Sequence, residues 1–128
     1  MPDNSMFGGT MALTHKAMDL RLARQGLIQS NIANIQTPGY MAQDFPFARV
    51  MESITSGKGG LVRTHERHMQ VDPVINAMSE TASIEKGPVD LDEQMLNLSE
   101  NNLMYQVATR IMTKKFDGLK FAIDEGGR

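Results

Sequence analysis

Two stretches of the chain carry helical periodicity, one towards each end, and a long segment without it separates them. Over residues 10 to 36, Leu13, Ala17, Leu20, Leu27, Ile28 and Ile35 fall on a stripe about 100° wide, which predicts an amphipathic helix. Met11, Met18, Leu22 and Ala33 fall on nearly the opposite side. A helix touching one partner would leave those residues wet, so a second neighbour is expected.

In the C-terminal third, Leu91, Leu98, Tyr105, Met112 and Leu119 recur every seven residues, and Met95, Asn102, Thr109, Phe116 and Ile123 follow each of them by four. That is the 4-3 seam of a coiled coil, sustained over about five heptads. Asn102 and Thr109 interrupt it with polar groups, a device that can fix register at a cost in stability. Asp90 is placed to cap the free amides of a helix starting near Leu91, with Glu93 at the return position of a capping box. Leu96, Leu103, Val107 and Phe121 form a second apolar line off the seam, so this helix too is expected to have more than one neighbour.

The helical core is therefore placed at residues 10–36 and 90–123, and residues 37–89 are read as an extended, loop-rich excursion. That middle segment holds the turn signals Phe45-Pro46, Gly57-Lys58-Gly59-Gly60, Asp72-Pro73 and Gly87-Pro88, with weak strand signals at 60–63 and 69–71. It has too few apolar residues to build a core unaided. The expected fold class is all-α: long N- and C-terminal helices packed as a coiled-coil pair, with an irregular middle segment containing at most short β-strands. Helices of about 40 and 50 Å can bury only one face against each other. The monomer is expected to be marginal, and the unused apolar faces imply that other subunits supply the missing core.

Composition narrows the function. The 128 residues suit one domain over 1–128. A net charge of -2 with 22% charged residues offers no basic excess for nucleic acid, and the absence of cysteine excludes disulfides and thiolate metal sites. The opening MPDNSMFGGTMALTHK has no apolar run of the secretory type, and no stretch approaches the roughly 20 apolar residues of a membrane span, so neither Sec export nor direct membrane insertion is expected. Eleven Met against five Phe, two Tyr and no Trp fits either adaptable contact surfaces or a Met-padded core.

One stretch combines several signals. In N-I-A-N-I-Q-T-P-G-Y, residues 31–40, Pro38 disfavours helical geometry at Thr37, so the first helix must end by about Gln36, and Pro38-Gly39 fits the centre of a type II turn. The amides of Asn31 and Asn34 can serve the orphan carbonyls of the helix end or the returning loop as interior hydrogen-bonding groups. The alternative is an ordinary helix terminus with a polar last turn.

The same stretch, through Ala33, Asn34, Thr37, Pro38, Gly39 and Tyr40, resembles the Ala-Asn-x-x-Thr-Pro-Gly-Tyr signature near the N-terminus of the flagellar axial proteins, the rod, hook and hook-associated family. The run V-D-L-D-E-Q-M-L-N-L-S-E-N-N-L-M-Y-Q-V-A-T-R-I-M-T-K-K-F-D-G-L-K resembles the proximal-rod branch of that family, and the short length agrees. The resemblance implies a rod-type domain whose paired terminal helices line a helical tubular assembly with the middle segment outside. It implies a structural subunit that transmits torque. Its implied partners are copies of itself, other flagellar rod proteins, the membrane ring, the rod-ring adaptor protein FliE and the flagellar type III export apparatus. It also implies export without a cleaved signal and a place in the periplasmic rod of the basal body. Asn31, Ala33, Asn34, Thr37, Pro38, Gly39 and Tyr40 become the assembly signature, and Leu13, Leu20, Leu27, Leu91, Met95, Leu98, Asn102, Tyr105, Met112, Phe116 and Leu119 the helix-pairing residues.

No catalytic, cofactor-binding or metal residue is expected. His65-Glu66-Arg67-His68 spaces its histidines by three, not the four of a zinc-protease helix, and lacks a third ligand. His15 reads as a surface residue. Lys114, Lys115 and Lys120 suit a helix C-terminal half, or pair with Asp92, Glu93 or Glu100 of a neighbouring subunit. Gly8-Gly9 is a flexible lead-in. A coiled-coil adaptor for one partner helix is the competing reading, and an enzyme the weakest.

Overall fold

The computed structural model describes residues 5–56 and 84–127. Among them the element order is α1 (Ser5–Ala33), β1 (Met41–Asp44), α2 (Phe47–Thr55), β2 (Ile84–Pro88) and α3 (Leu91–Gly126). The strand signals at 60–63 and 69–71 and the His65/His68 pair lie outside the described residues. The fold is all-α in substance, two long helices packed together with one small two-stranded sheet.

α1 starts before Thr10 and ends at Ala33 rather than Gln36. It tightens into a turn in which the Asn34 amide is shared between the carbonyls of Ser30 at 3.1 Å and Asn31 at 3.3 Å and the Ile35 amide reaches Ile32 O at 3.3 Å, a passage to i→i−3 bonding common where a helix is about to stop. α3 begins at Leu91, as the Asp90 cap predicts: the Asp90 carboxylate accepts from the amides of Asp92 at 2.9 Å and Glu93 at 3.4 Å. The Glu93 side chain does not close a capping box; its Oε1 lies 3.9 Å from Lys86 Nζ.

α1 and α3 run antiparallel, since Asn31 near the end of α1 meets Gln94 near the start of α3, while Arg21 further back meets Asn101 further on. β1 and β2 pair antiparallel, with Met41 opposite Pro88 and Gln43 opposite Glu85. Two steps on one strand thus face three on the other, and Gly87 (φ +97°) supplies the left-handed conformation such a bulge requires. The buried core is small: Leu20 of α1, Phe45, and Val50 and Ile54 of α2, flanked by Ala23, Leu27, Phe47 and Met51.

α2 corrects the reading of the middle segment as irregular. Phe47, Val50, Met51 and Ile54 follow the i, i+3, i+4, i+7 spacing of a helix face, and that face closes over α1. The apolar content that looked too thin for a core is sufficient because α1 contributes Leu20, Ala23 and Leu27 to it.

Candidate assembly site at the end of the first helix

Asn31 is the centre of the site. It is 1% exposed, and its primary amide is used at every face. Nδ2 donates to Gln43 O at 2.8 Å and to Gln94 Oε1 at 2.9 Å, while Oδ1 accepts from Gln43 N at 2.9 Å and Tyr40 Oη at 3.1 Å. Towards Gln43 the side chain behaves as a short strand, exchanging an N–H and a C=O with one residue of β1. One residue thereby joins α1, the Thr-Pro-Gly-Tyr turn, β1 and α3. Its bonds satisfy backbone N–H and C=O groups of β1 inside the fold, which is why an amide and not an apolar residue occupies this buried position.

Asn34 does a different job, and the expectation of an interior role for it is corrected. It lies near the surface, where Nδ2 donates to Ser30 O at 2.8 Å and Oδ1 accepts from Thr37 Oγ1 at 3.2 Å. The first bond adds a second donor to the Ser30 carbonyl, which also accepts from the Asn34 backbone N–H at 3.1 Å, and the second ties the turn to the helix end. The turn itself closes with Tyr40 N–H donating to Thr37 O at 3.2 Å, with Gly39 at φ +75° as its third position requires. Ala33 and Pro38 are exposed.

Beside Asn31 an ion-pair cluster fastens β1 to α1. Asp44 accepts from Arg24 Nε at 3.0 Å and Nη2 at 2.9 Å, and also from Phe45 N–H at 2.8 Å. Lys86 Nζ approaches the same carboxylate to 3.5 Å. Burial alone would raise the Asp44 pKa, but the Arg24 bonds and charge, the Phe45 amide and Lys86 outweigh it and hold the carboxyl below its usual range. The hydrogen bonds to Asp44 likewise raise Arg24 against the cost of its burial. Arg21 lies one turn back with its guanidinium 3.7 Å above the Phe47 ring, and burial lowers its pKa.

The helix-pairing seam differs from the predicted one by a rotation of one residue. Leu98, Tyr105, Met112 and Leu119 lie on the inner face of α3, but the accompanying column is Gln94, Asn101, Ala108 and Lys115. Met95, Asn102 and Phe116 of the expected column are exposed, as are Leu91 and, on α1, Leu13; Leu20 is buried and Leu27 half-buried. The reason is the amides. Gln94 bonds Asn31, and Asn101, fully buried, donates from Nδ2 to Arg21 O at 2.8 Å, so α3 must turn these two positions inward, and successive positions differ by about 100°. Asn101 Oδ1 has no hydrogen-bond partner among the described residues. Sequence reasoning missed Gln94, Asn101, Arg24 and Asp44. Each is a polar residue whose partner lies 20 or more positions away, and nothing local marks it.

Among the described residues no group of His, Cys, Asp and Glu could hold a metal, and no helix is long and apolar enough to cross a membrane. No family model matches the chain. It is 30% identical to the flagellar basal body rod protein FlgB of Bacillus subtilis over 128 residues, covering 95% of this chain and 98% of that protein. The FlgB of Cereibacter sphaeroides is also 30% identical over 129 residues, covering 91% and 95%. The FlgB of Yersinia enterocolitica is 28% identical over 131 residues, covering 92% and 96%.

Proposed function

The chain belongs to the FlgB family of flagellar basal body rod proteins, and on that premise we propose how it works. It is a structural subunit of the proximal rod in the flagellar basal body, and it associates with other flagellar rod proteins. In this reading it acts as a single rod-type domain, delivered by the flagellar type III apparatus to the periplasmic part of the basal body. There it carries torque from the membrane ring towards the distal rod and hook, with FliE as the adaptor at the ring. Its work is packing, not catalysis.

The observation that carries this reading is the orientation of α3. The helix gives α1 a seam containing Gln94 and Asn101 and leaves Met95, Leu96, Leu103, Val107 and Phe116 in solvent. A monomer has no use for so much exposed apolar surface, whereas a subunit packed on several sides buries it. Asn31 then acts from within, holding the sheet and α3 on α1, while Asn34, Thr37, Gly39 and Tyr40 shape the turn that leads into the sheet, so that the outward faces have a defined arrangement.

The double replacement Leu96→Gln and Leu103→Gln tests it, because Gln keeps helix propensity while removing apolar surface. The isolated chain should change by no more than about 0.5 kcal/mol, while swimming and basal-body yield fall sharply at matched protein levels. Normal rods from the double variant would defeat the reading.

A further inference from the structure

α3 outlasts its support. From the Asn101–Arg21 contact, α1 reaches Ser5 after sixteen residues, where α3 has only reached Asp117. The next residue is Gly118, and beyond Leu119 every residue to Gly127 is exposed, with Phe121 at 66% and Ile123 at 73%. The last two turns or so of α3, Leu119–Gly126, therefore stand clear of α1 and join the supported part at a glycine.

Nothing within the described residues requires glycine there. An added Cβ at Gly118 would meet no heavy atom within 4 Å, and its φ is not positive. In a helix interior glycine is a weaker helix former than alanine, because it surrenders more backbone freedom. Gly26 in α1 is equally open, but it lies between the buried Leu20 and Ile28, whose contacts hold its turn from both sides. Gly118 has support on one side only. Helical turns without tertiary packing are marginal in water, so the weak link falls where restraint is least.

The segment beyond the glycine has reason to move as a unit. Lys120 and Asp124 are opposite in charge and one turn apart, which favours helix within it, and the Gly127 amide closes its end on Ile123 O at 3.2 Å. Phe121 and Ile123 are two positions apart and so point about 200° from each other around the axis. A straight α3 fixes both directions at once, whereas a bend at Gly118 lets the apolar pair turn towards cover while the seam of Leu98, Tyr105 and Met112 stays in place.

We infer that α3 bends at Gly118 and that Leu119–Gly126 is a hinged arm, re-aimed as the subunit packs. The use in packing rests on the rod reading; the hinge is a property of the chain itself.

The chain has no cysteine, so paired thiol spin labels report only where they are placed. Val107→Cys with Glu125→Cys spans the glycine, and Ser99→Cys with Asp117→Cys spans the same number of positions without it; all four sites are exposed. An unbent helix holds either pair about 27 Å apart along the axis at 1.5 Å per residue. In a stabilising osmolyte the control pair is expected to give one narrow distance distribution, and the hinge pair a severalfold broader one extending to shorter distances. Gly118→Ala should narrow it to the control width, and Gly26→Ala should leave it broad. Equal widths for the two pairs, or a broad distribution that survives Gly118→Ala, would overturn the hinge. In flagellated cells at matched protein levels, Gly118→Ala should lower basal-body yield severalfold and Gly26→Ala leave it unchanged; equal yields would overturn the arm's part in packing. Absence of the unmodified chain from basal bodies would instead remove the rod reading, with the hinge still decided by the label distances.

Discussion

Replacing Asn31 by Ala strips four hydrogen bonds, of 2.8 to 3.1 Å, from a side chain that is 1% exposed. The consequences for the partners differ. Gln94 is itself buried, so its Oε1 loses its donor where water cannot easily replace it. Gln43 loses both a backbone donor and an acceptor at a half-buried position, and Tyr40 Oη keeps some access to water. An unsatisfied buried group costs about 1–3 kcal/mol and a re-solvated one little. Counting Gln94 in full and Gln43 in part puts the loss at about 2–4 kcal/mol. Asn34→Ala removes two bonds near the surface and should cost about 0.5–1 kcal/mol. Asn31→Asp keeps the shape but turns a donor into an acceptor facing Gln43 O and Gln94 Oε1, so it should be at least as damaging as Asn31→Ala. Urea unfolding in a stabilising osmolyte, read beside swimming and basal-body yield, measures all three. If Asn31→Ala costs no more than Asn34→Ala, the assignment of Asn31 as the buried node is wrong.

Gly39→Val forces a β-branched residue to φ +75°, and should destabilise by about 1–3 kcal/mol and lower rod yield, with Gly39→Asn milder; equal behaviour of the two in urea melts would contradict the turn geometry. Because the folded-state pKa of Asp44 is depressed, its contribution is complete above the unfolded value near pH 4 and is lost as pH falls through the lower folded value. Asp44→Asn should therefore cost about 1–3 kcal/mol at pH 7, and its gap from the parent should shrink in melts taken progressively below about pH 4; a pH-independent gap would count against the Arg24–Asp44 pair as its source. Gly26, inside α1, would meet no heavy atom within 4 Å of an added Cβ, so Gly26→Ala should stabilise the isolated chain by about 0.5–1 kcal/mol, seen as a higher urea midpoint.

The two long helices, the Asp90 cap and the Thr-Pro-Gly-Tyr turn were legible in the sequence because each rests on local chemistry: a period, an oxygen beside free amides, a ring that fixes φ next to a residue that tolerates φ > 0. α2 carried its i, i+3, i+4, i+7 signal at Phe47, Val50, Met51 and Ile54, but turn residues on both sides and the missing partner face obscured it. Pairing of β1 with β2 has no local mark, since Gln43 meets Glu85 across some forty intervening residues and strand preference is set by such neighbours. The rotation of α3 was likewise beyond the heptad pattern. Periodicity ranked Met95 above Gln94 and could not separate Asn102 from Asn101, because it scores transfer from water and not the partners awaiting an amide. Only the tertiary structure brings Asn31 and Arg21 O opposite Gln94 and Asn101, and two buried amides with fixed partners turn the helix by one position, sending the apolar column outward.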